Sequence, residues 1–110
     1  MLNESATAIV ARNVVWSGAA ATDPYEAGWA REAVVFVRAL KPPTGKMPDA
    51  RLQISPDGMR WVDEGTRFPL PTAQDGVTFA RLSHFGNWLR IAADIPDGEI
   101  TVLVTFHLKG

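Results

Sequence analysis

The stretch EITVLVTFHLK, Glu99 to Lys109, limits what this chain can fold into more than any other. Ile100, Val102, Val104, Phe106 and Leu108 fall on one side of an extended backbone. Glu99, Thr101, Thr105, His107 and Lys109 fall on the other, and Leu103 breaks the pattern. A period of two is the mark of a half-buried β-strand. The rest of the chain follows suit. In WLRIAADI, Leu89, Ile91, Ala93 and Ile95 point one way, against Trp88, Arg90 and Asp94. In ARLQIS, Leu52 and Ile54 alternate with Arg51, Gln53 and Ser55.

The run EAVVFVRAL, Glu32 to Leu40, is apolar on both faces. That pattern predicts a central strand covered on both sides. Four bulky residues in a row, Val34 to Val37, disfavour a helix because they lose rotamer freedom there. TAIVARNVVWS, GVTFARL and a short RWVDEG complete the predicted strands. Between them, TDPYEAGW, KPPTGKMPD, SPDG, FPLPTAQDG, HFGN and PDG carry turn and loop chemistry. DPYEAGWAREA has room for one helical turn. Short strands at regular spacing predict an all-β fold, a single antiparallel β-sandwich of jelly-roll-like type. At 110 residues the chain makes one domain, 1–110, with residues 1–18 as an N-terminal arm or edge strand.

Composition narrows the function. A net charge of −1 offers no broad basic field for nucleic acid or an acidic membrane surface. No apolar run approaches the roughly 20 residues of a membrane helix. The absence of cysteine removes disulfides, thiolate metal sites and thiol nucleophiles. No basic leader precedes an apolar run near the N-terminus, so no signal peptide is expected. Eight arginines against three lysines, and four tryptophans, are residue types enriched in interfaces.

Candidate chemistry is sparse. In LQISPDGMRWVDEG, Pro56 and Asp57 suit the centre of a type I turn and Gly58 the left-handed position after it. That predicts a three-residue hairpin joint between RLQIS and MRWVDEG. The stretch imitates the Asp-box of sialidase propellers, but the glycine comes one place early. Trp61 follows Asp57 by four residues where that motif needs five. Asp57, Asp63, Glu64, Asp94 and Asp97 lack the dense spacing of a calcium loop, and His84 and His107 lack a partner at metal-ligand spacing. No nucleophile elbow, phosphate loop or zinc-binding helix motif is present. The expectation is no enzyme activity, no metal and no cofactor. Trp61 and Trp88, beside Arg90, leave carbohydrate stacking open as an alternative.

Four segments occur together and in order: GWAREAVVFVRAL, ARLQISPDGMRWVDEG, LSHFGNWLRIAAD and TVLVTFHLKG. Arg31, Glu32 and Ala33 open the first strand. Leu52, Gln53, Ser55, Pro56, Asp57 and Gly58 form the second motif, and Trp88, Leu89 and Arg90 the third. Over Ala27 to Gly110 this resembles a group of small all-β structural proteins of tailed bacteriophages and prophages, head or decoration proteins among them. The proline-rich KPPTGKMP departs from the small Thr/Ser-rich loop of that group. The resemblance implies a virion structural protein made in the bacterial host cytoplasm. Its implied partners are the major capsid protein or other virion proteins, in a homo-oligomer. A tail or connector component is the neighbouring reading. Expected contact residues are Trp16, Trp29, Arg31, Pro42, Pro43, Trp61 and Trp88.

Overall fold

A computed structural model describes residues 4–110; Met1 to Asn3, the start of the predicted arm, lie outside the described residues. Eight strands follow in order: β1 (Ser5–Ala21), β2 (Tyr25–Glu26), β3 (Glu32–Ala39), β4 (Thr44–Gly45), β5 (Asp49–Ser55), β6 (Val62–Pro69), β7 (Val77–Ser83) and β8 (Trp88–Lys109). Every pairing among them is antiparallel. β8 is the spine. β1 runs along one of its edges from Ala92 to Lys109. Its other edge pairs first with β5 and then with β3. β6 flanks β5, and β7 flanks β3.

A 22-residue strand drawn out straight would reach roughly 70 Å. The longest dimension of the described chain is 46 Å, so β8 must bend. It bends where its inward face changes parity. Leu89, Ile91, Ala93 and Ile95 are buried, and then Ile100, Val102, Val104, Phe106 and Leu108. The change from odd to even positions needs an irregular step, and Pro96 to Glu99 supply it. Trp16 pairs with Ile100 and Gly18 with Ile95, so β8 bulges outward opposite Ser17. PDG, expected as a turn between strands, is therefore a corner inside one.

The proline-rich loop supplies the corner's clasp. Its Thr44 and Gly45 form β4 and pair with Glu99 and Gly98. Gly45 and Gly98 both have positive φ, 75° and 108°. A Cβ at Gly98 would run into the Thr44 carbonyl, and one at Gly45 into the Asp97 carbonyl.

The bend brings the two halves of the sheet face to face. Tyr25, beside the start of β8, meets Phe106 from its far half edge-on, with ring centroids 6.0 Å apart. The segment after β2 ties the ends of the spine together. Ala27 N–H donates to Asn87 O at 2.6 Å and Arg31 N–H to Lys109 O at 2.9 Å. It is a turn, closed by Ala30 N–H on Ala27 O, rather than a helical turn. The outcome is one folded antiparallel sheet, continuous through β1 and β8, whose two halves face each other. β6 and β7 approach each other without pairing, so the shape is nearly that of a barrel.

Two further expectations change. The β5–β6 hairpin has a six-residue loop, Pro56 to Trp61, in place of a three-residue joint. Asp57 Oδ1 accepts from Met59 and Arg60 N–H, both at 2.9 Å, which withdraws those amides from the ladder. β3 is central, between β8 and β7, but covered on one face only. Val35 and Val37 are fully buried, while Val34 and Phe36 remain half-exposed.

The crowded corner predicts a contrast between two glycines. Gly18→Ala has open space and should cost about 1 kcal/mol from its left-handed backbone alone. Gly98→Ala adds a backbone clash and should cost about 2 to 4 kcal/mol. Urea denaturation of both variants checks this. Equal costs would show that β4 does not clasp the corner.

Candidate interaction surfaces

The two outer faces of the folded sheet differ in chemistry. The face of β6, β5 and the first half of β8 is polar and self-paired. Gln53, buried at mid-strand, donates to Asp63 Oδ1 at 2.9 Å and accepts from Arg90 Nε at 2.8 Å. Arg51 reaches Asp63 at 3.3 Å and Asp94 at 3.1 Å. Cross-strand register explains the cluster, since Gln53 stands opposite both Asp63 and Arg90. The hydrogen bond from Gln53, with Arg51 and Arg67 nearby, holds the Asp63 carboxyl below its usual range. Burial pushes the Arg90 guanidinium below its ordinary value, and the Arg51 cation adds to the effect.

Both outward tryptophans of this face are half-buried. The Arg90 guanidinium sits over the Trp61 ring, 4.3 Å from its centroid. A Cβ at Gly58 would lie 3.2 Å from the Trp88 indole, so the turn packs on that ring. The SPDG stretch closes on itself. Ser55 Oγ accepts from Gly58 N–H at 2.8 Å, and Arg60 holds the Asp57 carboxylate at 2.6 Å.

The opposite face, formed by β7, β3, the second half of β8 and the start of β1, is mixed, with Ile9, Val77 and Phe79 exposed and Val34, Phe36 and Leu103 half-buried. Register lays it out in rows. Phe79, Phe36, Thr105 and Ile9 make one row. Val77, Arg38, Leu103 and Arg12 make the row on one side of it, and Arg81, Val34, His107 and Thr7 the row on the other. Phe79 is 47% exposed, Ile9 48% and Val77 53%. Phe36 packs on Phe79 at 6.0 Å and meets the His107 ring edge-on at 5.0 Å. Arg81 lies over Phe79, 5.1 Å from its centroid. Single exposed apolar residues are ordinary, but adjoining rows of them mark interaction sites.

The predicted contact residues are scattered. Trp16 is 2% exposed and packs in the core, where β1 reaches the corner. Trp29 is 41% exposed and lies against Gly110. Arg31 is exposed, with its backbone tied to Lys109 and His84. Pro42 is exposed and Pro43 half-buried, both just before the clasp. Trp61 and Trp88 belong to the polar face. The rows of the opposite face were missed, although signals for them existed. β3 was apolar on both sides, Leu103 broke the alternation of its strand, and Val77 and Phe79 shared a face with Arg81.

Among the described residues, no three His, Asp or Glu side chains gather to hold a metal ion. The fold has a solved counterpart. The SPBc2 prophage-derived protein YomS superposes with a TM-score of 0.60, covering 100% of this chain and 96% of that one at 5% sequence identity. At that identity the likeness is one of fold. No protein-family model matches the chain, and neither does any curated protein.

The turn chemistry predicts acid sensitivity. Hydrogen bonds from the Arg60 and Met59 amides lower the Asp57 pKa to about 2. A depressed folded-state pKa gives stability that is present above the unfolded value of about 3.9 and lost as pH falls toward 2. Asp57→Asn should therefore flatten the fall in Tm between pH 4 and pH 2, as read by circular dichroism. An unchanged pH profile would contradict the assignment.

Proposed function

We propose that this chain is a structural protein of a phage or prophage particle, a subunit that seats on the outer surface of the head and stabilises it. In fold terms the proposal takes the folded sheet as a two-layered, jelly-roll-like sandwich whose layers share β1 and β8. Its partner is the major capsid protein or a neighbouring virion protein, and no catalysis is assigned. The observation that carries this reading is the set of exposed apolar residues Ile9, Val77 and Phe79, flanked by half-buried Phe36 and Leu103, on one face. A small domain that leaves such residues exposed gains by burying them against a partner. Two further facts support it. The fold is shared over nearly the whole length with a prophage-derived protein. The strand motifs around Arg31, Leu52 and Trp88 resemble those of phage structural proteins.

A tail or connector position is the variant of this reading that keeps the same face. Carbohydrate binding has weaker support, because Arg90 and the Gly58 turn already occupy one side of Trp61 and of Trp88. The polar groups beside them are bonded to one another.

Mass spectrometry of purified particles, with imaging of labelled ones, tests the proposal. The chain should be present in many copies on the head. Phe36→Ser should lower its occupancy about tenfold, the loss of one well-packed interface aromatic. Absence from the particle would overturn the reading, and label confined to the tail would replace the head assignment.

A further inference from the structure

Three long strands of the folded sheet have one edge without a strand partner among the described residues: β1, β6 and β7. An open edge offers a row of free amides and carbonyls to any extended chain, and native proteins blunt it. β1 is blunted by three register shifts, with Asn13 and Gly18 at positive φ. β6 carries a shift, Gly65 at φ 112° and Pro69 at its end. β7 has none of these features over its seven residues.

The hydrogen-bond phase of β7 is fixed at both ends. Ala39 N–H donates to Gly76 O, and His84 N–H donates to Arg31 O. Both bonds direct the even-numbered residues of β7 toward β3. The backbone groups of Val77, Phe79, Arg81 and Ser83 therefore face outward, and all four residues are exposed.

We propose that β7 pairs with β7 of a second copy of this chain, antiparallel about a two-fold axis through Ala80. This register sets Val77 opposite Ser83 of the second copy and Phe79 opposite its Arg81. All four outward-facing residues become hydrogen-bonded pairs. No like charges oppose one another, and Arg81 meets the ring type it already covers within its own chain. An axis through Arg81 would instead place two guanidinium groups face to face. The pairing joins two four-stranded halves into one eight-stranded sheet and runs the Phe79 row of each copy into the Arg81 row of the other. It deepens the assembly reading, and rests on it only in that both use this side of the molecule.

The test is sedimentation equilibrium of the full chain over a concentration series. The expected species is a dimer. Phe79→Lys sets a cation against Arg81 in two symmetric pairs, and should weaken the dimer about tenfold or more. The double variant F79K/R81E restores opposite charges in this register alone, and should recover most of the loss. Circular dichroism should show both variants folded, since Phe79 and Arg81 are exposed. A wild-type chain that stays monomeric at about 100 μM overturns the proposal. So does a double variant that dimerises no better than F79K. A dimer that is rescued as described, from a protein absent from particles, would leave the pairing standing and remove the virion reading. A monomer that is present in particles would do the reverse.

Discussion

Backbone pairing along both edges of β8, carried through a corner at Pro96 to Glu99, is the interaction on which the rest of the structure depends. Five other strands bond to β8. A strand with partners on both sides has its amides and carbonyls satisfied, so its inward side chains can be wholly apolar. Val102, Val104 and Phe106 are fully buried as a result. The corner turns one ladder into two facing layers. Without the outward bulge opposite Ser17, the parity of the pleat would put Ile100 to Leu108 on the outside. The glycine pair at 45 and 98 lets a second backbone approach closely enough to hold that bulge in place.

Folding the sheet this way produces two outer faces with different chemistry, and each follows from cross-strand register. On the β5 side, Gln53 sits between Asp63 and Arg90 and satisfies both, with Arg51 closing the network to Asp94. A network bonded to itself has little left to offer a ligand. On the β3 side, apolar residues face outward in adjoining rows, relieved by Arg12, Arg38, Arg81 and His107. Arg38 is paired with Asp75 at 2.8 Å, and Arg81 lies on an aromatic ring. The resulting surface has apolar breadth and few unscreened charges, which suits protein contact.

Alternation made most of the fold legible. The inward positions of β8 can be named from its residues alone, including the switch of parity between Ile95 and Ile100. The strand class of Glu32 to Ala39 was also readable from its branched residues. What the residues could not give is what lies above a strand. EAVVFVRAL reads the same whether its second face is covered by its own chain or by a partner, because hydrophobicity records burial without saying by what. Its placement beside β7 was needed to show Val34 and Phe36 half-exposed. PDG was misleading for a related reason. Proline, aspartate and glycine serve a chain reversal and an in-strand corner equally well, and the β4 clasp that selects the corner lies about fifty residues away in sequence. Tryptophan content pointed to contacts by composition, yet Trp16 fills the core, and Trp61 and Trp88 are roofed by Arg90 and Gly58.

In the proposed assembly, an uncovered sheet edge and face on the β7 side are where this chain meets its partners. Site-resolved amide hydrogen exchange, comparing the dilute chain with the concentrated or particle-bound chain, tests this most directly. The proposed assembly predicts added protection at Val77, Phe79, Arg81 and Ser83, with the already paired amides of Arg51 to Ser55 unchanged. Protection that appears instead on β5 and β6, or at no outward-facing amide of β7, would contradict it.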